Sequence, residues 1–350
     1  MPDHNAQSQP QPSPRQGRHA DINGPATRDA VQPGPEVPQA EHFVASIQED
    51  HGGRAGIEQQ LTGKPSNLWR DAWRSLRRNP VFIVSALLML FVIFVAAFPG
   101  ALTSASPNSG CELSNANGAA EPGHPLGFTN QGCDILARVA YGTGPSVLVG
   151  LGTTAGVVVV GGLLGALAGY FGGWLDAIVS RFMDIFFALP LILGAIVLMQ
   201  VPVMAQNRGV ATLAITLVIF GWPQVARITR SSVIAVRNSD YVTAARSLGM
   251  GRFGILFKHV LPNAAGPVIV IATISLGTFI VAESTLSFLG IGLPGHAMSW
   301  GNDIASARPQ LRTNPMALFW PSLMLSITVL SFIMMGDSLR DALDPKGRTK

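Results

Sequence analysis

The sequence predicts an all-α integral membrane protein with six transmembrane helices. Only 13% of its 350 residues are charged, whereas an ordinary soluble domain has roughly 25%. A transmembrane helix needs about 20 consecutive apolar residues. The charge-free stretches of this chain are long and continuous, which argues against a soluble enzyme, a nucleic-acid-binding module and a barrel of short alternating strands. Six stretches contain no Asp, Glu, Lys or Arg: 79–111, 139–175, 185–207, 209–226, 259–282 and 313–336.

The first 66 residues differ in composition from the rest of the chain. Residues 1–40 contain eight Pro and six Gln and few aliphatic clusters. Such a segment buries too little apolar surface to offset the entropy lost on ordering. It also lacks the basic start and apolar core of a cleavable signal peptide. Residues 1–66 are therefore predicted to be a disordered cytoplasmic N-terminal extension.

Residues 67–99 are predicted to hold an interfacial helix followed by the first transmembrane helix. Trp73 and Leu76 lie at helical spacing among arginines, a pattern typical of an amphipathic helix at a membrane surface. An ordinary basic flank of the first span is the alternative. Pro80 suits the first turn of a helix, so the span should begin there and extend to about Phe98.

Loop charges predict the orientation of the spans. The stretches 65–80, 222–263 and 337–350 have net charges of +3, +5 and +1, whereas 100–141 has −2. Cytoplasmic loops are enriched in Lys and Arg. Both termini are therefore expected in the cytoplasm, and 100–141 is expected to be an extracytoplasmic loop. The same bias accounts for the overall net charge of +4. The glycine-broken stretch 284–302 is interpreted as the outer end of the fifth span and an exterior loop.

A stripe of small residues follows one face of the second predicted span, from about Ser146 to Tyr170. Glycines at this spacing allow helix backbones to approach closely in a membrane. The pattern predicts close packing, either within the chain or with a second subunit, and the sequence leaves both open. The stripe consists of Gly152, Gly156, Gly161, Gly165 and Gly169.

Four ionisable residues lie in or near predicted spans: Asp176, Arg181, Asp184 and Glu283. Arg181 and Asp184 are three residues apart and could pair on one helix face. Glu283 lies deeper, and an intramembrane carboxylate suggests function by default, with a hydrogen-bonded structural role equally open. An ion-coupled carrier or channel is therefore a second hypothesis for the chain.

The sequence contains no phosphate loop, no HExxH and no GxSxG motif. We therefore expect that the chain is not an enzyme, holds no metal and needs no cofactor of its own. An intramembrane enzyme is a third hypothesis, but no Ser–His pairing lies in the spans to support it. Any energy source for transport is expected on another chain or in an ion gradient.

Both cysteines of the chain, Cys111 and Cys133, fall in the predicted exterior loop. Disulfides persist in oxidising compartments, so the location predicts a bridge between them. Two free thiols are the alternative. The intervening sequence has no apolar periodicity, and a crosslink would restrain it.

Residues 238–262 are the most informative stretch. The sequence predicts a short helix capped by Ser239 and ending near Gly249, then a second short helix that ends at Pro262. Two amphipathic helices on a basic loop form a surface suited to docking into another protein. A solvated loop would leave several large apolar side chains exposed without a role.

This stretch resembles the EAA loop of bacterial ABC-importer permeases. The family's pattern is EAA, three residues, Gly, nine residues and I-x-L-P. Thr243 stands where the family has glutamate, and His259 where it has an aliphatic residue. We call residues 238–262 the coupling loop. The matching positions are Ala244, Ala245, Gly249, Leu261 and Pro262.

Other motifs are similar to the DppC/OppC branch of dipeptide and oligopeptide permeases. The likeness extends from about residue 67 to 346. The branch's exterior HPxGTDxxGRD pattern is altered, because Cys133 occupies the arginine position. The supporting motifs are Asp240-Tyr-Val-x-Ala-Ala-Arg246, Ala282-Glu-Ser-Thr-Leu-Ser-Phe-Leu-Gly-Ile-Gly292, Ser299-Trp-Gly-Asn302 and Gly336-Asp-Ser-Leu-Arg-Asp-Ala-Leu-Asp-Pro345.

The resemblance implies the transmembrane-domain fold of a type I ABC importer. It implies a core permease domain over 142–336 and a cytoplasmic tail over 337–350. Implied partners are a second homologous permease subunit, one or two ABC ATPase subunits that carry ATP and Mg, an extracytoplasmic peptide-binding protein and the lipid bilayer, with no nucleic acid. The implied coupling residues are Asp240, Tyr241, Thr243, Ala244, Ala245, Gly249, Leu261 and Pro262.

The implied function is ATP-driven import of dipeptides or oligopeptides across the bacterial cytoplasmic (inner) membrane. The chain would form half of the translocation pore and couple to an ATPase through the coupling loop. Nickel or another small solute is the alternative substrate within the same family.

Overall fold

The computed structural model describes residues 68–343. The extension expected over 1–66 and residues 344–350 of the tail lie outside the described residues. Within the described range the regular structure is helical. Twelve α-helices follow in order: α1 (Leu68–Leu76), α2 (Pro80–Ala97), α3 (Ile135–Phe171), α4 (Gly173–Ala188), α5 (Leu191–Met199), α6 (Pro202–Gln206), α7 (Val210–Arg237), α8 (Asp240–Ser247), α9 (Arg252–Ile255), α10 (Leu261–Phe288), α11 (Trp300–Ala307) and α12 (Met316–Leu343).

The described helices provide five candidate membrane spans of one helix each, and a bent pair of helices that brings the number to six if it counts as one span. Helices α2, α3, α7 and α12, together with the helical stretch Arg252–Phe288, are each long and apolar enough to cross a bilayer. Helices α4 and α5 pass the same test of length and apolarity only when they are taken together as a bent pair. The all-α membrane fold predicted from the charge-free stretches is thereby confirmed.

The third span is broken, which the sequence analysis did not predict. Helices α4 and α5 are bent by 84° across their junction. Leu189 there adopts an extended backbone, with φ −96° and ψ 119°. Pro190 follows it, and the proline ring disfavours helical geometry in the preceding residue. The break therefore has a local cause in the Leu189–Pro190 pair.

The second span begins earlier than expected. Helix α3 starts at Ile135 rather than near Ser146, so the predicted loop 100–141 ends at Asp134. The Asp134 side chain caps the helix by accepting a hydrogen bond from the Ala137 N–H. At about 1.5 Å per residue, the 37 residues of α3 exceed the thickness of a hydrocarbon core, which is about 30 Å.

Helix α1 packs against the last helix of the chain. Leu76 and Ala72 of α1 form a cluster with Ala342 and Leu339 of α12. Trp73 on the same helix is exposed. Part of the apolar face of α1 therefore packs against α12, and a membrane surface is not its sole apolar contact.

The loop between α2 and α3, predicted to be exterior, is folded around its disulfide. The structure joins Cys111 to Cys133, with their Cα atoms 4.3 Å apart. His124 Nδ1 lies 2.6 Å from Asp134 Oδ2. Asn314, just before α12, donates a 2.7 Å hydrogen bond to the Phe128 carbonyl. The predicted bridge is present, and side-chain hydrogen bonds tie the loop to the residues just before α3 and just before α12.

The glycine stripe of α3 faces α7 within the chain. A Cβ added at Gly161, Gly165 or Gly169 would lie 2.5, 2.3 or 2.8 Å from a backbone oxygen of α7. One added at Gly156 would meet the Val218 side chain at 2.4 Å, and one at Gly152 would make an ordinary 3.6 Å contact with Ala214. The two alternatives left open by the sequence are thereby decided in favour of packing inside the chain.

Candidate functional site

The coupling loop begins with helix α8, which starts directly after Ser239. The Ser239 carbonyl accepts hydrogen bonds from the N–H groups of Val242 and Thr243, each at 3.1 Å. The Ser239 hydroxyl does not cap the helix as predicted, because it donates to the Val236 carbonyl at 2.7 Å. Asp240, at the first position of α8, lies near the positive end of the helix.

Gly249 ends α8 in a left-handed turn. Its φ is +79°, a conformation that residues with a Cβ rarely adopt. The Gly249 N–H bonds to the Arg246 carbonyl at 3.0 Å, and the Met250 N–H bonds to the Ala245 carbonyl at 3.2 Å. This pair of bonds is the Schellman arrangement at a helix C-terminus. An added Cβ at Gly249 would meet nothing within 4 Å, so backbone conformation, and not space, requires the glycine.

The second helix of the coupling loop does not end at Pro262, contrary to the sequence prediction. Helix α9 continues through a π-helix, Leu256–Val260, directly into α10. The Leu261 N–H bonds to the Leu256 carbonyl, five residues back. Proline has no N–H and its ring clashes with the preceding turn. The wider π turn just before Pro262 accommodates it and keeps the helix continuous.

The inner face of the coupling loop is packed against the membrane helices. Val242, Ala245 and Ile255 are buried, and they share a cluster with Tyr170 of α3 and Val233 of α7. The loop is also covalently continuous with α10 through the π-helix. It is therefore held by three membrane helices and is expected to move with them as one body.

The outer face of the coupling loop exposes large apolar side chains. Leu248 is 88% exposed, Phe253 61% and Phe257 54%. Tyr241 and Met250 are also exposed. Several large apolar side chains exposed on one basic loop are typical of a surface that another protein covers. We call these five residues the docking face.

The predicted coupling residues divide between the two faces. Ala245 is buried and Leu261 is half-buried, so they support the loop. Thr243, at the position of the family's glutamate, is exposed, and its hydroxyl turns back to the Ser239 carbonyl at 3.4 Å. The exposed members are Asp240, Tyr241, Thr243, Ala244, Gly249 and Pro262.

Two arginines of α7 connect it to the helices beside the coupling loop, one through an ion pair and one through a hydrogen bond to a backbone carbonyl. Arg230 of α7 donates to both carboxylate oxygens of Asp176 on α4, with a 2.7 Å bond from Nη2 to Oδ2. Arg237 Nη1 donates to the Gly169 carbonyl at 2.6 Å. Sequence reasoning found Asp176 but not its partner, because the two residues are 54 positions apart.

The predicted pair Arg181–Asp184 is long and solvent-exposed. Arg181 Nη1 lies 3.8 Å from Asp184 Oδ2, with both side chains mostly exposed. Asp184 also lies 3.5 Å from Arg227 Nη2. An exposed pair of this length contributes little, in the range of about 0–1 kcal/mol.

Glu283 lies at a buried junction near the predicted outer end of α10. Its carboxylate accepts hydrogen bonds from Ser287 at 2.8 Å and from Ser284 at 3.1 Å. The Ser287 hydroxyl also accepts the Leu293 N–H at 3.1 Å. Trp300, fully buried, donates from Nε1 to the Val139 carbonyl at 3.1 Å. These contacts favour the structural role of Glu283 over a proton pathway.

A buried ion pair between α3 and α11 was missed by sequence reasoning. Arg138 Nε donates to Asp303 Oδ1 at 2.8 Å, and both side chains are largely buried. Burial raises the pKa of the Asp303 carboxyl, and the Arg138 guanidinium acts in the opposite direction. The residues are 165 positions apart, so no local pattern could have paired them.

Comparisons with known proteins agree with this arrangement. Residues 161–349 match the family described as the binding-protein-dependent transport system inner membrane component. Residues 67–117 match the N-terminal TM domain of oligopeptide transport permease C.

The oligopeptide transport system permease protein OppC of Bacillus subtilis is 35% identical over 300 residues, which is 86% of this chain and 97% of that protein. The dipeptide transport system permease protein DppC of Alkalihalophilus pseudofirmus is 36% identical, covering 79% of this chain and 90% of that protein. A solved structure of the inward-facing MetNI methionine ABC transporter has a TM-score of 0.50 at 20% identity, covering 59% of this chain and 96% of that chain. The structural likeness concerns the fold.

Proposed function

Because the chain belongs to the family of binding-protein-dependent transport system inner membrane components, we propose that it is the permease subunit of an ATP-driven importer of peptides. The chain forms half of a translocation pore, and a second, homologous permease subunit forms the other half. ATP and Mg bind to partner ATPase subunits, and an extracytoplasmic binding protein delivers the peptide.

The docking face of the coupling loop carries this proposal. It presents Leu248, Phe253 and Phe257 outward, while the opposite side of the same loop packs on α3 and α7. A partner that seats on this face can pull or push the membrane helices without deforming the loop. The continuous path from α9 through the π-helix to α10 gives the motion a rigid element that reaches the far side of the membrane.

Transport follows from this geometry. Closure of two ATPase subunits on ATP brings their docked coupling loops together. Each loop then moves its attached helices, and the pore turns from inward to outward. The tight glycine contacts between α3 and α7 make these two helices move as a pair.

Peptide is the proposed substrate because the relatives compared above are named for oligopeptides and dipeptides. Nickel or another small solute is the alternative within the family. Selectivity in such a system depends largely on the binding protein, so the permease itself carries little signal that separates these substrates.

The proposed location is the bacterial inner membrane with both termini in the cytoplasm. The charges of the described loops support this orientation, since the coupling loop is basic and the disulfide-bearing loop is acidic. The disulfide between Cys111 and Cys133, in the loop between α2 and α3, suits an oxidising compartment outside the cytoplasm.

Reconstitution of the whole complex in proteoliposomes tests the proposal. Uptake of a labelled dipeptide should require ATP inside, the binding protein outside and an intact coupling loop. Leu248→Arg should abolish uptake and loosen the ATPase subunits. Leu113→Arg, at a 79% exposed position on the exterior loop, should leave ATPase association unchanged. ATP-independent uptake, or uptake driven by an ion gradient alone, would refute the importer; uptake of nickel but not peptide would replace the substrate.

A further inference from the structure

A pocket lies between the coupling loop and the end of α3, next to the docking face. Its volume is about 220 Å³. Tyr170, Phe171 and Ile255 contribute aromatic and apolar side chains to its lining, and two arginines also line it. The lining consists of Tyr170, Phe171, Arg246, Met250, Arg252 and Ile255.

The two arginines of this pocket, Arg246 and Arg252, are exposed. Within residues 68–343 neither is within ion-pairing distance of a carboxylate. The arginines of the described chain that do form ion pairs are paired with an Asp on α4 or on α11. Two arginines that line one pocket without a carboxylate partner among the described residues make this pocket positively charged.

The charge balance of the whole loop points the same way. Between Asp240 and Val260 the chain has three cationic residues, Arg246, Arg252 and Lys258, against one acid, Asp240. Thr243 adds no charge to the exposed face of α8. The loop therefore presents mainly positive charge to a partner, and it is best complemented by acidic residues of that partner.

We propose that the pocket receives the carboxylate of an Asp or Glu side chain from the ATPase partner. The inference rests on the proposed function and adds the chemistry of the contact. Arginine binds a carboxylate through two parallel N–H donors, and an apolar and aromatic lining lowers the local dielectric and strengthens the pair. Phe253 of the docking face packs beside the pocket, because its ring centroid lies 5.5 Å from that of Phe171 in the lining.

The pocket also joins the partner directly to a membrane helix. Arg246 and Arg252 belong to the coupling loop, whereas Tyr170 and Phe171 belong to α3. A carboxylate seated between them contacts both the coupling loop and α3. Movement of the ATPase is then transmitted to α3 directly as well as through the Gly249 turn.

The test compares charge reversals in the complete importer in lipid nanodiscs. Arg246→Glu and Arg252→Glu should each weaken binding of the purified ATPase subunit about tenfold and flatten the dependence of binding on salt. Lys258→Glu is the matched control: it makes the same charge change on the same loop but lies outside the pocket. It should change affinity less than threefold.

A charge swap then identifies the contact. Acidic residues on the ATPase are changed to Arg one at a time and paired with Arg246→Glu; one of them should restore binding and substrate-stimulated ATP hydrolysis. Equal effects of Arg246→Glu and Lys258→Glu, or no restoring partner, would overturn the inference.

Three further outcomes separate the possible failures. If the unchanged permease binds the ATPase but its affinity does not depend on salt, the pocket proposal fails and the proposed function stands. If the unchanged permease does not bind the ATPase at all, the proposed function fails. If the arginine variants lose activity only in nanodiscs that contain anionic phosphatidylglycerol, the pocket binds a lipid headgroup and the inference is wrong.

Discussion

One added methyl group at Gly165 should weaken the folded state of this chain measurably. The Cβ of Gly165→Ala would lie 2.3 Å from the Ala226 carbonyl oxygen and 3.0 Å from the Ala226 Cα on α7. Both contacts are with backbone atoms, which cannot rotate away. Gly162, three residues earlier on α3, has nothing within 4 Å of its added Cβ and is the matched control.

The loss in the free energy of unfolding follows from the displacement of the two helices that the methyl group requires. Bringing the 2.3 Å contact to 3.0 Å moves α3 and α7 apart by at least 0.7 Å, and their packing loosens at neighbouring glycines. Overpacking of a close-packed interface costs about 1–3 kcal/mol. Gly165→Ala should lie at the upper end of this range, because backbone rather than side chain must move. Gly162→Ala should be neutral or slightly stabilising, since Ala has the higher helix propensity.

The stability is measured by reversible unfolding in mixed micelles with increasing SDS, followed by circular dichroism. The glycine stripe supplies a graded series: Gly165→Ala should destabilise most, then Gly161→Ala and Gly169→Ala, and Gly152→Ala least, following their contact distances. Equal stability of Gly165→Ala and Gly162→Ala would show that the α3–α7 contact does not limit folding and would refute the reasoning.

The remaining predictions concern the coupling loop and the exterior side. Gly249→Asp should leave the chain folded but lower uptake per ATP hydrolysed, because a side chain is disfavoured in the left-handed region, although less for Asp than for most residues, and the strained turn reorients the docking face. The two native cysteines should resist alkylation until reductant is added, and loss of their crosslink should cost about 3 kcal/mol for a loop of this size. A single cysteine at Ser114, in a background without the native pair, should react with an impermeant thiol reagent in intact cells. Asp303→Leu should destabilise the chain by about 3–5 kcal/mol, because it leaves a buried arginine unpaired.

Each of these predictions has a control in the chain. Gly251→Asp places the same charge at an exposed position with an ordinary φ of −65°; if it uncouples transport equally, charge rather than backbone explains the effect at Gly249. Full alkylation without reductant would exclude the disulfide. A cysteine at Ser247 should stay unlabelled by the impermeant reagent, and its labelling would show that the orientation is opposite to the one proposed. The double variant Arg138→Leu with Asp303→Leu should recover much of the lost stability, and failure to do so would contradict the burial argument.

Ala307 illustrates why an accessible site must be chosen from the structure. It falls in the predicted exterior loop between the fifth and sixth spans, yet it is only 5% exposed because it packs with Ile135 and Ala317. A thiol there would label poorly whatever its side of the membrane. Thr313, exposed on the same loop, is the better position for the reagent.

The sequence alone determined the class of the protein, because crossing a membrane is a local constraint. Each span must be apolar over its own length, and the charge-free stretches therefore marked the six segments before any contact was known. The coupling loop was equally local: Gly249 and the flanking amphipathic helices could be read from spacing. Even the break in the third span had a local signal in Leu189–Pro190.

Only the tertiary structure decided which surfaces meet. The glycine stripe indicated a close contact, but its partner, α7, is set by the way the whole bundle closes. Asp176 finds Arg230, and Arg138 finds Asp303, across long stretches of chain. The helix through Pro262 continues because a π turn widens it where the loop packs against α3 and α7. Periodicity and charge describe one helix at a time, whereas pairing depends on the free energy of the complete packing arrangement.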